Sequence, residues 1–503
     1  MKNLFSALLL TIILFSAISR QVVYADSLDF VHRWEHSTFP TPTLSLEYDK
    51  LDRPYFYATG NQGGLMIFEA TDPWQPELIK TMPISDFNDM HVMDVFQEGT
   101  YLYLAIGNHF SSDVEGGIAI VDINDPPNAV VKDTWHTNAG AEGRGSAVVR
   151  VDGNYAYLGA MSRGMLIFDI SDPGNIDSVS QIIPDMSFPN PNPAPAQIPN
   201  ARGMAVRDEI VYLCYDAGGL RIINIADKTN PRETGRYHNP LVDHTVVPMA
   251  YNNVVVDENL AFIPIDYCGL EIVDISDTSN ITQVSWWNPW RCETPENIWF
   301  NSPGHTNQIA YLKEQSLAFL SAGDSELQVI DVSNPALPKV AGSFGEPENQ
   351  RAVWGLEVHQ NQVLLTYIPA LIPFVSNWAG VQLLEWNSVT VGIEETEANP
   401  NLPQATSLHQ NYPNPFNPVT NIEFTISDGS TSLTTGFGYV ELKIYDISGQ
   451  LVKTLVNEFK PAGSYSITWD GRNEAGQRVV SGVYFYRMMA GDFIKMRKML
   501  LTK

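Results

Sequence analysis

The feature that most limits how this chain can fold is a phrase it repeats seven times. One copy reads Tyr155-Ala156-Tyr157-Leu158-Gly159, a short loop, then Gly164-Met165-Leu166-Ile167-Phe168-Asp169-Ile170-Ser171-Asp172-Pro173. YFYATGNQGGLMIFEATDP starts at Tyr55, YLYLAIG with GGIAIVDINDP at Tyr101 and IVYLCYDAGGLRIINIADK at Ile210. LAFIPIDYCGLEIVDISDT starts at Leu260, LAFLSAGDSELQVIDVSNP at Leu317, and a worn copy, VLLTYIPA with GVQLLEW, at Val363. The aligned acidic or amide position falls at Glu69, Asp122, Asp169, Asn224, Asp274, Asp331 and Glu385, spaced by 53, 47, 55, 50, 57 and 54 residues. Four strand-like runs fit in each period, as in 147–151, 155–159, 165–170 and 179–183. A four-stranded unit of about fifty residues is a propeller blade, and it buries neither face until neighbours cover both. The fold class expected is all-β: a seven-bladed β-propeller followed by a small Ig-like β-sandwich.

Ring closure leaves a trace. Units one to six end in an outer strand (ELIKTM, AVVKDTW, SVSQII, RETGRY, TQVSWW, KVAGSF), whereas unit seven runs from Glu385-Trp386-Asn387 straight on. The spare strand is Leu28-Asp29-Phe30-Val31-His32-Arg33-Trp34, so residues 26–38 are expected to complete the last blade and remove an open sheet edge.

The propeller is assigned to 26–390. Ahead of it, Lys2, an apolar run over 4–18 and Val23-Tyr24-Ala25 have the pattern of a cleavable signal peptide, assigned to 1–25. After it, 391–411 is polar, Pro-bearing and aperiodic, which is linker composition. Strand patterning returns at 421–426, 440–447, 451–455, 464–469 and 482–488, punctuated by Gly449-Gln450, Asp470-Gly471 and Ala475-Gly476, in a sandwich of Ig-like size over 412–503.

Two resemblances add to this reading. NYPNPFNP from Asn411, IYDISGQLVKTL, WDGRNEAGQRVVSGVYFYRM and the basic ending Lys495, Arg497, Lys498 and Lys503 resemble a C-terminal sorting domain of type IX secretion substrates. That domain is similar in turn to the Ig-like domain of flagellar hook-capping proteins. The resemblance implies export across both membranes of a Gram-negative, Bacteroidetes-like bacterium, with the type IX machinery as partner and release or outer-surface attachment as the end point. The repeat resembles the LVIVD family at Leu270-Glu271-Ile272-Val273-Asp274 and Leu327-Gln328-Val329-Ile330-Asp331. That family is known mainly from secreted or surface propellers, and it carries over no catalytic residue.

Charge narrows the partners. The 503 residues hold 30 Lys+Arg against 57 Asp+Glu, a net of −27. Residues 409–503 have 10 and 8 of these, so all the acidity sits in the propeller part. Such a body repels phosphate backbones, and nucleic acid is not an expected partner. An extracellular glycan or protein is.

The recurrent Asp122, Asp169, Asp274 and Asp331 read as structural acceptors serving a neighbouring blade or turn. Ligands belong where the units differ, on the rim carrying the long outer-to-inner connections 82–91, 136–146, 183–204, 238–253, 288–308 and 345–353 and the expanded second-to-third strand loops 107–116 and 368–380. Trp287, Trp290, Trp299, Phe300, Phe374 and Trp378 fall there, as a binding face or as loop packing. Asp89, His91, Arg144, Arg202, Asn252, His305 and Arg351, with Trp354 just beyond, stand where the inner strands begin and are expected at one channel mouth. The three Arg would hold an anion, or pair with acids such as Glu142 and Glu348 and plug the channel. Were the protein an enzyme on extracellular polysaccharide, Asp89, His91 and His305 would supply its acid and base; non-catalytic binding is the expectation. No metal or nucleophile motif occurs. Asp86, Asp89 and Asp94 fit no calcium-loop spacing, so no cofactor is expected and calcium has no support. Cys268 and Cys292 lie near each other on the predicted rim, as a disulfide or as free thiols, while Cys214 reads as a buried hydrophobe.

Overall fold

The computed structural model describes residues 28–108, 110, 115–137, 145–193, 198–243, 249–294, 299–370, 373–388, 406–426, 437–447, 449–461, 463–490 and 493–502. They form two units, the first over 28–388.

The first unit is a ring of seven four-stranded antiparallel sheets. Blade three shows the pattern: Val148–Asp152, Tyr155–Gly159, Met165–Asp169 and Asp177–Ile182, from inner to outer. The inner strand of each blade lies beside that of the next, and Val353–His359 of blade seven meets Leu46–Tyr48 of blade one, which closes the circle. Met165, Leu166, Ile167 and Phe168 are all at most 5% exposed although they alternate in direction, because blades cover both faces. The cores therefore lie between sheets, as where Tyr57 and Ile67 of blade one pack with Leu104 and Ala119 of blade two.

Blade seven takes its outer strand from the other end of the chain. Leu28–Ser37 pairs antiparallel with Gly380–Ser388, Leu28 opposite Ser388 and Ser37 opposite Gly380, so no outer strand is missing from the ring.

A bulge recurs in all seven outer strands. One residue is passed over in each: Ile79, Lys132, Val179, Thr234, Val284, Ala341 and, in the closing strand, Arg33. The residue that follows the extra one faces the next blade. There Lys80 Nζ donates to Ala129 O at 2.7 Å, Asp133 Oδ2 accepts from Ile176 N at 2.7 Å, and Ser180 Oγ donates to Lys228 O at 2.6 Å. Trp34 occupies this place in blade seven and packs edge-on against Phe68 of blade one, 5.7 Å between centroids.

The recurrent carboxylates do not reach a neighbouring blade; each closes its own turn. Oδ1 of Asp122, Asp169, Asp274 and Asp331 accepts the backbone N–H two residues on, at 2.8 to 2.9 Å. The side-chain hydrogen bonds of Ser171 and Ser276, and then these backbone ones, hold Asp169 and Asp274 below the usual carboxylate range. The glycine before the third strand has a different task. Gly164 sits at φ +73°, and a Cβ there would collide with Ile182 O of the outer strand.

The second unit is a sandwich. Ser407–Leu408, Thr420–Ile426 and Gly463–Trp469 form one sheet; Leu451–Pro461, Phe437–Tyr445, Gly482–Ala490 and Phe493–Leu501 form the other. Phe416, Ile422, Phe424, Leu442, Trp469 and Tyr486 fill the core. Two elements go beyond the sequence reading: Ser407–Leu408 lies in the stretch read as linker, and the basic ending is a full edge strand.

Candidate functional site

Antiparallel order puts the outer-to-inner connections and the second-to-third strand loops on one rim. Of the twelve exposed large apolar side chains among the described propeller residues, seven lie there. They are Phe39, Phe110, Ile183 and Ile198, with Leu241 at 66%, Phe300 at 64% and Val375 at 58% exposed.

The tryptophans beneath them are half-buried and committed to loop packing. Trp287 meets Trp290 edge-to-face at 5.7 Å, and Trp290 lies so close on Gly304 that a Cβ there would clash with its ring. Trp378 stacks under the Arg351 guanidinium at 4.2 Å. Cys268 and Cys292 form a disulfide, Cα atoms 5.2 Å apart, that ties the 288–308 connection to blade five; Cys214 is free and buried, donating from Sγ to Asn253 O at 3.0 Å.

His305 is 1% exposed. Its Nδ1 and Asp266 Oδ1 are 2.6 Å apart, and Trp299 Nε1 donates to Asp266 Oδ2 at 2.7 Å. Phe374 and Trp299 enclose the imidazole edge-on at 4.9 and 5.9 Å. Its Nε2 and Asp324 Oδ1 are both buried without a hydrogen-bond partner among the described residues, and burial raises the Asp324 carboxyl.

The residues expected at the channel mouth part company. Arg202, Asn252 and Trp354 do line a narrow throat of about 30 Å³, where Arg202 Nε faces Asp216 Oδ2 at 3.5 Å. Arg351 turns outward, its Nη1 2.9 Å from Glu35 Oε2 of the closing strand rather than paired with Glu348. A three-arginine cluster therefore does not form around it; Arg144, with its expected partner Glu142, lies outside the described residues. Asp89 is exposed at φ +59° after the short turn 84–87. His91 is half-buried, which lowers its pKa by desolvation. Among the described residues no hydrogen bond or ion pair joins Asp89 or His91 to His305. Asp94 stands apart from exposed Asp86 and Asp89, buried inside the channel.

Below the throat the channel widens to about 220 Å³, toward the rim of short turns. Glu47, Lys50, Asp94, Phe96, Arg150 and Glu357 line it, and sequence reasoning passed over all of these but Asp94. The signal was a charge inside an apolar inner strand, as in AVVRV and GLEV.

With ring, rim and channel in place, a family model identifies four of the blades. Those four are LVIVD repeats. The repeat model matches 143–181, 200–239, 251–288 and 317–345, which are blades three to six, and the FlgD Ig-like domain model matches 420–492. No curated protein matches the chain. Solved structures similar to this chain include Sqt1 of Saccharomyces cerevisiae, at 9% identity and TM-score 0.47, covering 71% of this chain and 99% of that one. YCF48 of Cyanidioschyzon merolae has 8% identity and TM-score 0.46 over 71% and 98%, and the computationally designed Ika8 protein 10% and 0.40 over 70% and 98%.

Proposed function

We propose that the LVIVD propeller is an extracellular, non-catalytic binding module that docks a protein ligand on its long-loop rim, and that the Ig-like domain directs export by type IX secretion. The observation that carries the binding reading is the gathering of exposed apolar side chains on that rim. Apolar groups collected on one face of a soluble body favour a partner that covers them. Most of them are aliphatic, and the tryptophans that would stack on sugar rings are spent on loop packing; this favours protein over glycan. The Cys268–Cys292 disulfide suits an oxidising compartment, in keeping with the leader-like segment 1–25.

The test is retention of the purified protein on the outer surface of its own and neighbouring cells, beside a glycan array. Leu241→Asp with Phe300→Asp should abolish cell retention while melting is unchanged; unchanged retention refutes the rim. For export, removing 412–503 should trap the propeller in the periplasm, and undisturbed release refutes the sorting role.

The His305–Asp266 pair is the one observation favouring catalysis, since a carboxylate on Nδ1 orients an imidazole as a base. It predicts polysaccharide turnover that His305→Ala removes. His305 is too enclosed for a polymer to reach without loop movement, so binding is the preferred reading.

A further inference from the structure

The charges inside the channel play no part in the rim surface, and they do not balance. Lys50 Nζ lies 3.0 Å from Glu47 Oε1, and Arg150 Nη1 lies 2.8 Å from Asp94 Oδ2. Asp94 is further held by Ser45 Oγ at 2.6 Å and Val149 N at 3.0 Å. These two pairs cancel. The carboxylate of Glu357, on the inner strand of blade seven, lines the same cavity and makes no hydrogen bond or ion pair among the described residues.

Blade one presents Glu47, Lys50 and the Tyr48 phenol, blade two Asp94, and blade three Arg150. Blades five and six contribute only the amides of Asn253 and Gln308, hydrogen-bonded to each other. Burial pushes Glu357 up and the charge of Glu47 pushes it further, with Lys50 and Arg150 opposing. A carboxylate left uncompensated in a poorly solvated wall takes up either a proton or a cation. The cavity has room for about seven waters at ~30 Å³ each. It communicates with solvent at Lys50, which is 42% exposed. The wall already seats one cation on an aromatic face, Lys50 Nζ 3.8 Å from the Phe96 ring centroid.

We infer that the central channel is a binding site for one small monovalent cation, an alkali ion or the ammonium head of an organic molecule, with Glu357 as its counter-charge. Glu47 and Asp94 keep their own partners and supply the negative surroundings. A cation that replaces a proton on Glu357 expels it, so binding weakens about tenfold per pH unit where the empty site is protonated.

The experiment uses the full chain, melted at equal ionic strength in potassium, methylammonium or tetrabutylammonium chloride, the last too bulky for the cavity. Calorimetry at pH 7 in two buffers of different ionisation enthalpy then counts protons released. The expected result is a Tm at least 2 °C higher in potassium or methylammonium, with close to one proton released per cation, both lost in Glu357→Gln. A response to potassium alone assigns the site to an inorganic ion, and one to methylammonium alone to an organic head. Equal melting in all three salts, or cation effects that persist in Glu357→Gln, overturn the inference. Should that variant fail to fold, the proton count on the unaltered protein decides: none released means that Glu357 only holds a proton.

Discussion

The Tyr251 hydroxyl donates to Glu271 Oε2 at 3.0 Å and accepts the backbone N–H of Asn239 at 2.7 Å. Glu271 is wholly buried in blade five and also accepts from Tyr237 at 2.7 Å and Gln283 at 2.6 Å, with no cation paired to it among the described residues. Three hydrogen bonds favour its charged form, yet desolvation outweighs them and raises the carboxyl to about 7. The folded protein therefore holds this proton more tightly than the unfolded chain. The resulting stability is present in full below about pH 4.5 and is lost as pH rises through 7. Glu271→Gln should shrink the fall in unfolding free energy between pH 5 and 8 by about 2–3 kcal/mol. Urea titrations across that range check it; an unaltered slope contradicts it.

Closure of the ring rests partly on Trp34. Its ring packs on Phe56 and Phe68 across the seam between blades seven and one. Trp34→Ala should cost about 2–3 kcal/mol, read as a lower urea midpoint, and should open the seam to limited proteolysis before the rest unfolds.

Reducing Cys268–Cys292 releases a loop of 24 residues. The expected loss is roughly 3 kcal/mol, seen as a lower Tm in dithiothreitol that Cys268→Ser with Cys292→Ser reproduces. Cleavage should concentrate in the 288–308 connection.

Asp169 serves one local turn at the surface. Asp169→Ala should cost under about 1 kcal/mol and leave cell-surface retention unchanged. A loss of retention in this variant would give the recurrent carboxylates a role beyond the turn.

How far the sequence could be read depended on repetition. Blade count and the orphan strand at residues 28–34 followed from a pattern seen seven times, and a structural role for Asp169, on a neighbouring blade or in a turn, was visible because four blades share it. The channel charges were not legible, because the inner-strand position that carries Glu47 in blade one, Arg150 in blade three and Glu357 in blade seven holds Phe96, Ala205, Val255 and Ala310 in the others, so no repeated charge marks it. Arg351 was placed at the mouth from its strand position alone. Its long side chain instead reaches Glu35 and Trp378, a choice set by the closing strand and the blade-seven loop together. The last sandwich strand was hidden by its own chemistry. Lys495, Arg497 and Lys498 crowd one edge strand, and only Met499 and Leu501 of that strand are buried.

The seam joins partners 352 positions apart, as in the Arg33–Glu385 pair. Because Leu28–Ser37 waits for Gly380–Ser388, the circle cannot seal until the whole propeller part has been made, and loop-closure entropy makes this docking a late event in the folding of that part. Until then the outer edge of Gly380–Ser388 stays unpaired and open to strands of other chains, and docking removes that hazard.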